Sequence, residues 1–153
     1  MPRLLALLPC ERAIISKDDD SVSLITVTQG IAVHLPDDSI VGQNVLLPHQ
    51  WAIFAFWLKE PGDDGVELEQ RIELIAPDDA RLLVQDVRFT IVRNTHSQIG
   101  RLEALPVPKA RIGDLPFTVR VSIKRADAQV FAVAGEFPLT VTLAVSTSQP
   151  VFP

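Results

Sequence analysis

A chain of 153 residues, 47% hydrophobic and 22% charged, is long enough to bury one core without disulfides or metals and too apolar to be disordered. A net charge of −5 argues against general nucleic-acid binding, which needs a basic stripe for phosphates. The single cysteine, Cys10, leaves no intramolecular disulfide and excludes a disulfide-built secreted domain.

The hydrophobic period is two nearly everywhere it can be read, which predicts strands. The N-terminal run from Leu4 to Leu8 follows one positive charge and superficially suggests a signal peptide. It is too short, and Pro9-Cys10-Glu11-Arg12 is a poor cleavage site, so a strand is the expectation. A turn follows at Lys17-Asp18-Asp19-Asp20-Ser21. Residues 22–35 are long and β-rich, with Gly30 predicting a bulge or bend. Beyond the Pro36-Asp37-Asp38-Ser39 turn, residues 51–58 are apolar on both faces, with Trp51, Ile53, Ala55 and Trp57 sharing one. Such a strand is central, covered by a facing sheet on one side and by an interface or an overlying segment on the other.

Past the acidic turn Pro61-Gly62-Asp63-Asp64-Gly65, residues 66–74 alternate cleanly. Val66, Leu68, Ile72 and Leu74 point one way, and Glu67, Glu69, Arg71 and Glu73 the other, so one face is wet. After Pro77-Asp78-Asp79-Ala80, the one region able to host a helical turn, residues 87–91 alternate again. Residues 94–116 are less regular, with a short strand possible over 101–105 and an extended, poorly pairing Pro106-Val107-Pro108. Residues 117–124 and 139–145 complete the strands, separated by a turn at Arg125-Ala126-Asp127-Ala128. Short strands with turns at this spacing predict a single-domain, mostly antiparallel all-β sandwich of about seven or eight strands over residues 1–146, with a tail at 147–153. The expected core is Leu24, Ile53, Phe54, Leu68, Ile72, Leu74, Phe89, Ile91, Val119, Val121, Val141 and Leu143.

The charge is uneven. Residues 1–80 hold 5 Lys and Arg against 14 Asp and Glu, and residues 81–125 hold 9 against 3. Either the two halves pair across one fold, or Arg88, Arg93, Arg101, Arg111, Arg120 and Arg125 form a basic face for an acidic partner or a second copy.

Catalytic inventory is thin. His34, His49 and His96 show no metal-ligand spacing. No nucleophile elbow or phosphate loop is present, and Thr95, His96 and Ser97 are strand neighbours that point to opposite faces. Cys10 reads as a small buried hydrophobe. No cofactor is implied. The Asp-rich turns fit ordinary turn chemistry. The weak metal alternative is a calcium site from Asp63, Asp64, Asp18 and Asp20. Trp51 and Trp57 read as a core pair first and as interface candidates second. The apolar Val151 and Phe152 and the cations Arg88 and Arg120 are the other interface candidates.

The pattern Leu7-Leu8-Pro9-Cys10-Glu11-Arg12-Ala13-Ile14-Ile15 followed by Val22-Ser23-Leu24-Ile25-Thr26-Val27 resembles a family of small uncharacterised bacterial proteins. In that family a Cys-acidic pair opens the domain; a Trp-bearing strand, an aliphatic strand ending in a Pro-Asp turn, and a final Gly-led hairpin follow. Trp51 to Trp57, Ile72 to Asp78 and Gly113 to Val121 occupy those places. Phe117 departs from the family's Tyr, and the Pro-rich stretch at 106–116 is longer. The resemblance implies an immunoglobulin-like or C2-like β-sandwich and brings no catalytic residue. The functional expectation is a non-catalytic structural or protein-interaction module, self-associating, with a protein partner or itself as ligand. No stretch approaches the roughly 18 apolar residues of a membrane span, and the cytoplasm is the expected compartment. The alternative is a C2-like domain binding calcium or a small ligand through its Asp-rich loops.

Overall fold

The computed structural model describes residues 1–146, so Val151 and Phe152 lie outside the described residues. It is an all-β sandwich. Its strands are β1 (Arg3–Ile15), β2 (Val22–Val27), β3 (Gly30–Leu35), β4 (Val45–Leu58), β5 (Glu67–Ile75), β6 (Arg81–Thr90), β7 (Thr95–Val107), β8 (Gly113–Arg125) and β9 (Ala132–Val145). A four-stranded sheet runs β2-β1-β4-β7 and a five-stranded sheet runs β3-β9-β8-β5-β6. Every pairing is antiparallel except β3 with β9, which is parallel from Gly30 against Thr140 to Leu35 against Val145.

Nine strands among the described residues exceed the expected seven or eight for two reasons. The 22–35 run is two strands in different sheets, because the chain crosses the sandwich at Thr28–Gln29, just before Gly30. The irregular 94–116 region holds a continuous thirteen-residue strand, β7. Its pattern is hidden because the inward positions opposite Ala55 and Trp57 are Gln98 and His96, and because burial shifts phase between Leu102 and Leu105. Pro106 does pair in register, with Leu46. It stands on an edge strand, where a missing N–H can face away from the sheet. Near residues 76–83 the chain makes a single hydrogen-bonded turn, with the Asp79 N–H donating to the Ala76 carbonyl at 3.0 Å, and no helix.

The core lies between the sheets. Ten of the twelve expected core residues are in it, from Ile53 and Leu68 to Val141 and Leu143. Leu24 and Phe54 are not. Leu24 packs with Cys10, Ala13, Ala52 and Ile99 in a second cluster, and Phe54, paired with Leu8 and Ile99, alternates with the inward-facing Ile53 and Ala55. The outward face of the four-stranded sheet is therefore apolar too.

That outward face is partly covered by the chain itself. β1 pairs with β4 only as far as Cys10 against Ala52, where β4 carries an irregularity between Pro48 and Trp51. From there β1 pairs with β2 alone, and the hairpin folds back over the sheet. Ala13 packs on Ala52, the Arg101 guanidinium approaches the Ala13 carbonyl at 3.5 Å, and Asp20 in the hairpin turn meets Arg93 at 3.4 Å. This is the overlying segment that an apolar-on-both-faces β4 requires.

Candidate functional site

Trp51 and Trp57 are structural. Both are almost fully buried and in the inter-sheet core. The Trp51 indole N–H donates to the Ala104 carbonyl at 3.1 Å. The Trp57 indole N–H donates to Gln70 Oε1 at 2.7 Å inside the core, which satisfies a donor that would otherwise be costly to bury. Gln70 is itself fully buried, and its Nε2 has no partner.

Arg88 and Arg120 stand on the outward face of the five-stranded sheet, within cross-strand ion pairs. Arg88 meets Glu69 at 3.4 Å and Arg120 meets Glu136 at 2.7 Å. Around them Glu69 also meets Lys124, Glu73 meets Arg81, and Arg71 forms a two-pronged pair with Asp86 at 2.8 Å. The acidic first half and the basic 81–125 segment thus meet across neighbouring strands. The Arg71 guanidinium lies 4.2 Å from the centre of the Phe131 ring, and Lys124 lies 5.1 Å from it, a cation–π cap on the same face.

The aspartates do not converge. Asp63 is fully buried; its Oδ2 accepts from the Glu60 N–H at 3.0 Å and its Oδ1 meets the Met1 amine at 3.2 Å. Asp64 pairs with Lys59 at 2.6 Å, and Asp20 faces Arg93. Asp19, Asp37 and Asp78 accept from backbone N–H groups two residues on, the self-bonding of Asp in turns. Asp18 offers its own backbone N–H to Ser16 Oγ. Among the described residues no group of three or more His, Cys, Asp or Glu is placed to share a metal ion.

Cys10 is fully buried, and burial pushes its thiol pKa up. A thiol that resists ionisation and cannot reach solvent is a poor nucleophile. The His96 ring stacks on Phe89 with centroids 4.4 Å apart.

Two features remain that chemistry could use. One is the free edge of β2, where Ile25 and Val27 are 42% and 49% exposed, beside Ile14 of β1 at 45%. The other is a cleft of about 670 Å³ between the hairpin tip and the outward face of the four-stranded sheet. Phe54 and Phe56 line it, their rings stacked at 6.0 Å and 19°, and Ile15, Val22 and Val92 supply apolar walls. Asp19, Asp20 and Arg93 stand among its lining residues. The Asp19 carboxyl is held below the usual carboxylate range by hydrogen bonds from Ser21. The two-faced apolar character of residues 51–58 is the sequence signal for this cleft. Arg93 and Val92 carry none, because they act through a tertiary contact with a turn far away in sequence.

No family model matches the chain, and no curated protein matches it. Among the described residues no helix is long and apolar enough to cross a membrane.

Proposed function

We propose that this domain is a non-catalytic interaction module that associates with a second copy of itself through the free edge of β2. One observation carries the reading, the contrast among the sheet edges. β6 guards its edge with Arg81, Asp86 and Arg88, and β7 guards its own with Arg101, Glu103 and Pro106. Charges and prolines on edges are how folds resist strand addition. β2 reads Val-Ser-Leu-Ile-Thr-Val, with neither device. β3 also lacks charge, but it exposes only Gly30, Ala32 and His34, which offer little apolar surface.

β2 has one irregularity. Thr26 is left-handed, with φ 52°, and it has no register partner on β1. The regular stretch of edge is therefore Val22 to Ile25, short enough to need apolar contacts beside its backbone bonds. Ile25 and Ile14 supply them. Strand addition across a two-fold axis uses the same edge on both copies.

Native mass spectrometry of the purified chain tests this. A dimer is the expected species, and Ile25→Lys, an exposed change that leaves the core untouched, is expected to convert it to monomer. A wild-type protein that stays monomeric at high concentration overturns the reading.

A second reading, ligand binding through an Asp-rich loop, is favoured by the place of Asp19 and Asp20 on the cleft under the hairpin.

A further inference from the structure

We infer that the cleft between the β1–β2 hairpin and the outward face of β4 binds a small hydrophobic amine, with its ammonium at the Asp19–Asp20 turn and its apolar body on Phe54 and Phe56. The inference rests on the second reading above and is independent of self-association.

Size and lining set the class. A volume of about 670 Å³ falls in the range of small-molecule sites, and the lining is two-sided, with Phe54 and Phe56 on its apolar side and the Asp19–Ser21 turn on its polar side. Phe54 and Phe56 present two nearly parallel rings 6.0 Å apart, and Val22 and Val92 flank them. This surface suits an aliphatic or aromatic body of one ring's size.

Charge sets the sign. Two carboxylates, one guanidinium and the His96 imidazole line the cleft, and the imidazole is stacked on Phe89. Arg93 pairs with Asp20 across a 3.4 Å contact, and among the described residues Asp19 has hydrogen bonds from Ser21 but no cation. Ser21 holds Asp19 ionised through its backbone N–H and hydroxyl. Aromatic faces are the negative side of a ring quadrupole and add to the same sign. An ammonium satisfies all three, and its N–H groups can donate to the hydroxyls of Ser21 and Thr95, which also line the cleft. A carboxylate ligand would meet Asp19 with like charge and would have to take Arg93 from Asp20.

Asp20 of the β1–β2 turn meets Arg93 of the β6–β7 connection at 3.4 Å, and both residues line this cleft. Both partners are well exposed, at 69% and 75%, so the pair is weak and can open for a ligand to enter.

The test is an amide chemical-shift titration with two matched probes, phenethylammonium and hydrocinnamate. Saturable shifts confined to residues 15–22, 54–56 and 90–97 are expected with the amine. Asp19→Asn keeps the turn's hydrogen-bonding oxygen and is expected to weaken the amine by about two- to five-fold, the worth of one exposed ion pair. Arg93→Gln decides the sign. It frees the Asp20 carboxylate and is expected to tighten the amine by a similar factor, whereas an anion site would be weakened by it. Hydrocinnamate binding more tightly than the amine overturns the amine assignment and leaves the ligand reading standing. Absence of saturable shifts with either probe overturns both.

Discussion

On the outward face of the five-stranded sheet, Arg71 is held between Asp86 and Phe131. At a comparable central position on the other sheet stands Phe54, only 9% exposed although it points away from the core. Charged neighbours on β5, β6 and β8 satisfy one another across strands, so that face needs no cover. An apolar outward face cannot be left wet without cost. Here the cover is the chain's own hairpin, and it is incomplete. The cleft beneath its tip and the bare edge of β2 are what incomplete cover leaves. Of the two faces, the apolar one therefore carries both functional proposals.

The comparison breaks most readily at Phe54. Phe54→Ala is expected to cost about 3 kcal/mol in denaturant unfolding, because its ring is buried under the hairpin. Arg71→Ala, at a matching outward site, is expected to cost under about 1 kcal/mol, as exposed ion pairs do. Equal costs would mean that the hairpin does not cover the sheet in solution.

The inner side offers a sharper contrast. Trp57→Phe removes the indole N–H that donates to the buried Gln70 Oε1 and is expected to cost about 2 kcal/mol. Adding Gln70→Leu takes away the stranded amide as well. A double-mutant cycle on chemical unfolding is expected to show a coupling of about 1 kcal/mol. Additive costs would deny that the hydrogen bond is formed in the core.

The smallest effect belongs to the ionic face. The hydrogen-bonded Arg71 guanidinium holds Asp86 below its ordinary value of 3.8. A depressed carboxyl stabilises the fold fully above that value and loses its contribution as pH falls through the folded one. Asp86→Asn is expected to lower the melting temperature slightly at neutral pH, and the gap to wild type is expected to close below pH 3.8. A gap that persists in acid would show that Asp86 acts through packing.

The sandwich was legible where side chains alternate without interruption, as from Leu68 to Leu74 and from Phe117 to Ile123. It was illegible at β7, where His96, Gln98 and Gly100 fill inward positions. Gly100 leaves room for side-chain ends of the other sheet. A Cβ there would lie 2.5 Å from Gln85 Oε1 and 3.0 Å from Ile72 Cδ1, atoms of the facing sheet that no local pattern reveals. The outward character of Phe54 followed from counting residues along β4, yet hydrophobicity alone assigned it to the core. What covers it could not be read, because the hairpin's reversal depends on where β1 parts from β4. The cleft inherits that opacity, since its acidic turn and its aromatic floor come from segments that only the reversal brings together.

The parallel pairing of β3 with β9 has a consequence for how the molecule is made. Gly30 meets Thr140, so the ladder joins residues more than a hundred positions apart. Closing so long a loop is slow, and folds dominated by such contacts assemble late. During synthesis β3 emerges long before its only ladder partner. Until β9 arrives, β3 has no strand to pair with, although Ile31 and Leu35 are buried in the finished protein. That interval is when a nascent chain is most open to capture by chaperones or by other chains, and β9 is the strand that ends it.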